Sequence, residues 1–183
     1  MYHGGFDVMA EKSLVERIAM SRSVLPVSLR PVAEGDGEFL FRVYAGTRQE
    51  ELALVDWEEA QKEAFLMMQF TAQQRFYSEN YPVALFRIIT LDGVSCGRLY
   101  LVRWDNEIRI IDIALLPEYR KQGIGSFLLE GILAEGRREG VAVTLHVEKF
   151  NPALRLYQRL GFSPVQDRGV YVLMERPPGG GER

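Results

Sequence analysis

The sequence predicts a domain of the α/β (α+β) class, in which helices and strands alternate along the chain. Three observations predict it. A run of three strands joined by short turns spans Val83 to Leu115. A loop with two glycines, Arg120 to Gly125, then leads into an amphipathic helix. A further strand, a short helix and a hairpin follow, up to Glu175. The 183 residues are enough for one domain with a hydrophobic core.

The first elements are a strand and two helices. Val27 to Pro31 is predicted to be a strand, and Glu34 to Thr47 a helix with one apolar side. The apolar residues of that side are Phe39, Leu40, Val43 and Tyr44. Asp56 belongs to a residue type that caps helix N-termini, so it predicts the start of a second, longer helix. Pro82 ends this helical region, because proline disfavours helical backbone in the residue before it.

The three strands of the central run form a predicted meander. Val83 to Thr90 is the first, and Leu91-Asp92-Gly93 is typical of a tight hairpin turn. Ser95 to Val102 is the second, and Asp105-Asn106 predicts the next turn. Glu107 to Leu115 is the third strand.

The last elements follow the loop. A helix begins at Ile124 and is predicted to end near Gly136 or Gly140. Val141 to Val147 has the alternation of a strand with one buried face. Asn151-Pro152 opens a short helix, and Gly161 suits the position just after its end. Two strands are predicted to close the domain as a hairpin: Ser163 to Val165 and Val170 to Glu175.

Both ends of the chain differ in pattern from the domain between them. Residues 1–25 are predicted to be a loosely attached extension, with weak helical spacing from Asp7 to Met20. This segment lacks the continuous apolar stretch of a signal peptide. Residues 26–176 form the predicted domain, and residues 177–183 a flexible tail rich in proline and glycine.

Composition excludes several classes of protein. A formal net charge of −3 argues against a nucleic-acid surface as the main function. No apolar run is long enough for a transmembrane helix. Cys96 is the only cysteine, which forbids an intrachain disulfide and favours a reducing, cytoplasmic location. Cys96 itself is interpreted as an ordinary apolar strand residue, since nothing near it in sequence would activate a thiolate.

The loop Arg120-Lys121-Gln122-Gly123-Ile124-Gly125 is a candidate anion site. A helix N-terminus presents unpaired N–H groups, and glycine lets a ligand approach them closely. A phosphate or pyrophosphate suits such a site, and Arg120 and Lys121 add positive charge. The alternative is a tight turn that needs glycine only for its backbone angles. A P-loop needs glycine, four residues and then Gly-Lys-Ser/Thr, and the chain has no such run. A Rossmann fingerprint needs a third glycine or alanine three residues after the second, whereas Ser126, Phe127 and Leu128 follow Gly125.

Three segments together resemble the GNAT superfamily of N-acetyltransferases. They are Ile113 to Pro117 at an apolar strand end, Arg120-x-x-Gly123-x-Gly125, and Asn151 to Phe162, which contains Leu156-Tyr157 and Leu160-Gly161-Phe162. In one respect the chain departs from the family, which places its tyrosine seven residues after the asparagine. Here Tyr157 is six residues after Asn151.

The resemblance implies a fold and a donor. The fold would be a mixed, mostly antiparallel central sheet flanked by helices, with splayed central strands. Acetyl-CoA, or another acyl-CoA, would be the cofactor, without a metal ion. Its pantetheine arm would pair with the backbone of Ile113 and Leu115 in the gap between the splayed strands. The other residues implied in cofactor binding are Arg120, Lys121, Gln122, Gly123, Ile124, Gly125, Ser126, Asn151 and Tyr157.

The resemblance also implies catalytic roles. The Tyr157 hydroxyl would protonate the leaving thiolate; the alternative is a tyrosine that only packs its helix on the sheet. Asp112 would orient the amine or relay its proton; the alternative is a salt bridge or turn contact with Arg109 or Arg120. His146 has a pKa suited to a general base, although a strand histidine is more often structural. Glu148, on the same strand, is a further candidate.

The acceptor implied by the resemblance is a primary amine of unknown identity. Residues 34–63 carry nine acidic side chains, which would attract a cationic amine if they lined the site and are otherwise a solvated helix face. The predicted function is therefore N-acyl transfer by direct attack on the acyl-CoA. Two alternatives stay open, O-acylation of a hydroxyl and a CoA-responsive binding module without turnover. Exposed strands near the C-terminal hairpin also allow a homodimer, which the sequence does not settle.

Overall fold

Seven strands form one sheet in the computed structural model, which describes residues 25–179. They are β1 (Val27–Pro31), β2 (Leu85–Leu91), β3 (Val94–Arg103), β4 (Glu107–Leu115), β5 (Ala142–Glu148), β6 (Ser163–Arg168) and β7 (Tyr171–Arg176). Their order across the sheet is β1-β2-β3-β4-β5-β7-β6. Neighbouring strands are antiparallel except β4 and β5, which are parallel. The predicted mixed, mostly antiparallel sheet is confirmed.

Helices cover both faces of this sheet. They are α1 (Gly37–Leu52), α2 (Glu59–Asn80), α3 (Ile124–Glu139) and α4 (Leu154–Arg159), with short 3-10 turns at Glu34–Asp36 and Pro117–Tyr119. On one face, Leu40 and Tyr44 of α1 and Phe70 of α2 pack with Ile88 and Tyr100 of the sheet. On the other face, α3 and α4 bury the larger apolar cluster, which includes Leu128 and Leu145. The cavity described below opens on the α1 and α2 face.

The turns of the predicted meander are confirmed. Asp92 and Gly93 have positive φ angles of 51° and 79°, as a two-residue hairpin turn requires. The Trp104 N–H donates to the Glu107 carbonyl across the second turn (2.9 Å). β1 and β4 have the predicted bounds. β6 extends to Arg168, three residues beyond the prediction, and Gly169 with φ 78° makes the turn into β7.

Two helix starts differ from the prediction. α1 begins at Gly37, after a 3-10 turn, and continues to Leu52, because the residues after Thr47 favour helix as well. The N-cap of α2 is Glu58 and not Asp56. Gln61 explains this shift, since its side-chain oxygen accepts the Glu58 backbone N–H (3.0 Å).

The centre of the sheet is split. β5 pairs with β4 only along Glu107–Ile110, whereas β3 pairs with β4 as far as Leu115. A bulge separates the two halves of β4, because Tyr100 faces Asp112 while Leu101 faces Ile110. β3 also approaches the end of β4 closely, since a Cβ on Gly97 would lie 2.3 Å from the Ala114 carbonyl oxygen. The predicted splay of the central strands is therefore confirmed.

Some expectations concern residues outside the described range. The predicted N-terminal extension, with its helix from Asp7 to Met20, lies there except for Leu25, and so do residues 180–183 of the predicted tail. The domain boundaries therefore stay predictions. Within residues 25–179, none of the helices has both the length and the apolar character needed to cross a membrane.

Candidate active site

A cavity of about 870 Å³ opens where β4 and β5 separate. Side chains from α1 and α2 form one wall, and those from β5, α4, β6 and β7 form the other. Six residues singled out from the sequence line it together: Asp112, Ile113, His146, Glu148, Asn151 and Tyr157. The fold therefore brings together groups that are up to 45 positions apart in the chain (157 − 112).

The edge of β4 that faces the gap carries backbone groups suited to a ligand. The Leu116 N–H donates to the Cys96 carbonyl (2.9 Å), and hydrogen-bonded pairs alternate along an antiparallel ladder from there. Ile113 and Leu115 consequently turn their N–H and C=O groups away from β3 and towards the gap. The Leu115 carbonyl accepts a bond from Arg120 Nε (3.0 Å). The remaining groups can pair with an extended chain.

Tyr157 reaches the cavity from α4. Tyr157 is 7% exposed, and its ring packs edge-on against that of Phe162, with ring centroids 5.9 Å apart. Burial and, secondarily, the Asp112 carboxylate raise the pKa of Tyr157 to about 12. The hydroxyl therefore keeps its proton at neutral pH and is available as a donor.

Asp112 is anchored inside the cavity by a buried arginine. Its Oδ2 accepts bonds from Arg98 Nη2 (2.7 Å) and from the Tyr77 hydroxyl (3.2 Å). The Arg98 side chain is 1% exposed, and the same nitrogen also donates to Gln73 Oε1 (2.9 Å). Burial, followed by the charge of Asp112, raises the pKa of Tyr77, which keeps that hydroxyl a donor. The salt bridge predicted as the alternative role exists, but its partner is neither Arg109 nor Arg120.

Sequence reasoning assigned no specific role to Arg98, Tyr77 or Gln73. Arg98 has one signal, because it is the charged residue inside the otherwise apolar run Cys96 to Val102. A charged side chain in such a strand is buried only with a partner. The guanidinium also lies against the Tyr100 and Tyr44 rings, 5.4 and 6.0 Å from their centroids. Tyr77 and Gln73 are ordinary helix residues by pattern, and nothing in the sequence distinguishes them.

The other two candidate bases differ in their partners. Glu148 accepts bonds from Arg48 Nη2 (3.2 Å) and from the Tyr171 hydroxyl (3.3 Å). Burial lowers the pKa of His146 below its usual value, and the charges of Arg109 and Arg168 lower it further. His146 is therefore neutral at pH 7 and able to accept a proton.

The glycine-containing loop forms the N-terminus of α3, apart from the cavity. Phe127 makes the first helical bond, to the Gly123 carbonyl (2.9 Å), so the N–H groups of Ile124, Gly125 and Ser126 have no acceptor within the helix. Gly123 has φ 84°, a left-handed conformation that favours glycine. The Ile124 side chain is buried in the core, so this residue offers a ligand only its backbone. Such an N-terminus suits an anion.

The side chains before Gly123 hold the loop in place. Arg120 donates to the carbonyls of Leu115 (3.0 Å) and Gly46 (2.8 Å), and Gln122 donates to that of Glu118 (2.7 Å). These bonds tie the loop to β4 and α1. Lys121 has φ 60°, which is uncommon outside glycine. That these residues contact a phosphate stays a prediction.

Asn151 has a visible structural role. Its Oδ1 accepts the Ala153 N–H (2.9 Å), which stabilises the turn that leads into α4. It also lines the cavity near Tyr157. The bond to Ala153 explains why asparagine suits this position whether or not a ligand contacts it.

The acidic segment does not supply the cavity wall. From residues 34–63, only Tyr44, Thr47 and Arg48 line the cavity, and none of the nine acidic side chains does. Cys96, in contrast, is as predicted: it is fully buried in β3, and burial raises its pKa to about 11.

Comparison with known proteins identifies the family. Residues 49–162 match the model of the acetyltransferase (GNAT) family, and this range covers more than half of the chain. The chain belongs to the GNAT family. The matched range includes all three segments on which the resemblance was based.

Relatives and solved structures agree with this assignment. Over 78 residues, 42% of its length, the chain is 35% identical to "[Ribosomal protein bS18]-alanine N-acetyltransferase" of Haemophilus influenzae. That alignment covers 52% of the relative, so the chain matches about half of its length.

The fold is shared over a longer range. The PaiA N-acetyltransferase of Thermoplasma acidophilum, solved with coenzyme A, superposes with a TM-score of 0.63 at 21% identity, covering 82% of this chain and 98% of that one. The ribosomal-protein-S18-alanine N-acetyltransferase of Escherichia coli gives 0.57 at 21% identity, covering 85% and 96%. This GNAT chain therefore has the fold of both.

Proposed function

We propose that this GNAT protein is an N-acyltransferase that uses acetyl-CoA, or another acyl-CoA, and transfers the acyl group to a primary amine. Family membership and the names of its relatives support the reaction. The coenzyme A complex of a protein with the same fold supports the donor. The observation that carries the proposal is the position of the gap between β4 and β5. The cavity lined by Tyr157 opens at this gap, and β4, which borders the gap, ends just before the loop at the start of α3.

The residues present fit an acyl-CoA. The free N–H groups at the start of α3 would hold the pyrophosphate, and each charge-assisted bond of this type contributes roughly 1.5–3 kcal/mol. The backbone of Ile113 and the Leu115 N–H would pair with the pantetheine arm. Several such bonds are enough for micromolar affinity, about −8 kcal/mol.

Tyr157 is the proposed general acid. Acetyl-CoA supplies the acyl group as a thioester, whose C–S bond breaks as the new C–N bond forms. Tyr157 donates its hydroxyl proton to the leaving sulfur, and its raised pKa keeps that proton in place until then. The tyrosinate formed is reprotonated from solvent.

His146 is the proposed proton acceptor on the amine side. An alkyl ammonium must lose a proton before it attacks, which at pH 7 costs about 4–5 kcal/mol. Asp112 and Glu148 are both paired with arginines, so their carboxylate oxygens already accept bonds within the protein. His146 lines the same cavity, and no ion pair engages it within the described residues. Asp112 keeps its predicted role of orienting the amine or relaying its proton.

An acetyl-transfer assay tests the function. Free thiol is measured while the protein, acetyl-CoA and each member of a panel of amines react, and the products are weighed by mass spectrometry. Thiol release that requires the amine, together with an amide product, supports the proposal. An ester product indicates O-acylation. Coenzyme A binding without transfer to any amine or alcohol would support the CoA-responsive binding module.

The setting of the protein is part of the proposal. The chain has a single cysteine, which is buried, and this favours a cytoplasmic enzyme. The net charge of −3 does not suggest a surface for nucleic acid, so the proposed partners are the acyl-CoA and the amine. A homodimer stays an open prediction.

A further inference from the structure

Four arginines line the cavity, and three of them are neutralised by carboxylates. Arg98 pairs with Asp112 (2.7 Å) and Arg48 with Glu148 (3.2 Å). Arg109 pairs with Glu107 (2.9 Å), which is not itself part of the lining. These pairs leave the charges of the three arginines balanced at the cavity wall.

Arg168 of β6 is the exception. Its Nε and Nη2 both donate to the side-chain oxygen of Gln166 (3.1 and 2.8 Å), a neutral group. Among residues 25–179, no carboxylate lies within ion-pair distance of it. Arg168 is an exposed residue that also lines the cavity, and these two bonds orient its guanidinium there while its charge has no carboxylate partner among the described residues.

The described residues that line the cavity include no unpaired carboxylate that could bind a second positive group of the acceptor. The cavity's two carboxylates, Asp112 and Glu148, are both engaged by arginines, and the acidic residues of the 34–63 segment are not part of its lining. A diamine or polyamine would bring an ammonium group to a wall whose one unbalanced charge is positive. An anionic group would meet a planar, oriented donor that suits carboxylate and phosphate.

We propose that the acceptor amine carries a carboxylate or phosphate group, and that Arg168 binds this group. The inference rests on the proposed function, because it describes the acceptor of that reaction. Two sources share this chemistry: a free amino acid and an acidic residue next to the N-terminal amine of a peptide.

Two matched pairs of acceptors test the inference and separate the sources. One pair is alanine and alaninamide; the other is the amidated peptides Ala-Asp-Ala and Ala-Asn-Ala. For each pair, the ratio of kcat/KM is compared between the wild type and Arg168→Gln, which cancels differences in amine basicity. At pH 8, where His146 is neutral with or without Arg168, we expect Arg168→Gln to lower kcat/KM about tenfold for the anionic member through KM, leaving the neutral member unchanged. Arg168→Lys should keep most of the preference in whichever pair shows it.

Arg138→Gln is the matched control, because Arg138 lies on α3, away from the cavity, and is paired with Glu139. It should leave both ratios unchanged. Calorimetry of acceptor binding to the CoA-saturated protein gives the same comparison without turnover. Equal use or binding of both members by the wild type, or an equal loss on both in Arg168→Gln, would overturn the inference. Failure of the proposed function looks different: no acetyl transfer to any acceptor, while the binding comparison still tests Arg168.

Discussion

At the scale of single residues, Tyr157 joins the core to the proposed chemistry. Its ring packs in the apolar cluster of α3 and α4, while the residue also lines the cavity that contains Asp112. Packing and proton donation depend on different atoms of the same side chain. Removing the hydroxyl alone separates them.

Tyr157→Phe should therefore lower kcat about 100-fold, the usual contribution of a positioned acid, with little change in the affinity for coenzyme A. Steady-state kinetics and calorimetry measure the two quantities. Tyr119→Phe is the control, because Tyr119 packs on the same core without lining the cavity. Equal loss of turnover and binding, or no loss, would remove the acid role.

Asp112 and Arg98 form a buried pair whose structural and chemical roles can be separated. Asp112→Asn leaves the Arg98 charge unbalanced and should cost about 3 kcal/mol of unfolding free energy in a urea titration. Arg98→Met combined with Asp112→Asn should recover most of that stability, because no buried charge remains. We expect kcat to stay at least about tenfold low in the double variant. Recovery of kcat together with stability would make Asp112 purely structural.

The proposed base predicts the acid side of the pH profile. The groups whose charges act on His146 are Arg109 and Glu107 of β4 and Arg168 of β6, and burial together with the two arginines lowers its pKa. The active, neutral form should persist as pH falls through 6.5, and kcat/KM should decrease only below that. His146→Gln should remove this decrease, whereas His3→Gln, at the other histidine of the chain, should keep it. An unchanged profile in His146→Gln would exclude the role.

For single residues, the sequence predicted the features that depend on neighbours along the chain. Tyr157 and Asp112 were singled out because they belong to segments with a recognisable pattern, and both line the cavity. The partner of Asp112 was not singled out, because the bulge in β4 sets which side chains share its face, and spacing alone does not reveal a bulge. Arg109 and Arg120, its neighbours in sequence, bond instead to Glu107 and to backbone carbonyls.

At the scale of elements, the α3 N-terminus is the unit on which donor binding depends. Gly123→Asp places a carboxylate at the proposed pyrophosphate site and should abolish coenzyme A binding in calorimetry. Gly140→Asp is a matched control, because Gly140 caps the other end of the same helix with φ 70° and open space around it. It imposes similar backbone strain without approaching the loop. Normal affinity in Gly123→Asp would show that the loop is not the site.

Strands and turns were predictable because their signals are local. Asp92-Gly93 and the alternation in β5 need no tertiary information. The α2 start was missed because Asp56 has the residue type that prefers the N-cap position, whereas the bond between Glu58 and the Gln61 side chain sets the start two residues later. Helix ends without glycine or proline, such as that of α1, carry no comparable signal.

At the scale of the whole molecule, the split sheet creates the site. Residues of eight helices and strands line the cavity, so no single segment of the sequence predicts which side chains meet there. The acidic segment shows this most clearly: its charges are dense in sequence, yet the fold turns them away from the cavity, and arginines from four different elements define the wall instead. The family and the splayed sheet were predictable, whereas the acceptor side required the assembled fold.

A crystal structure of the protein soaked with coenzyme A is the most direct test of donor binding. We expect the diphosphate to accept bonds from the backbone N–H groups between Lys121 and Ser126, with the pantetheine arm in the β4–β5 gap alongside Ile113 and its sulfur facing Tyr157. A nucleotide bound elsewhere, or a gap filled by side chains while the nucleotide binds, would contradict the account.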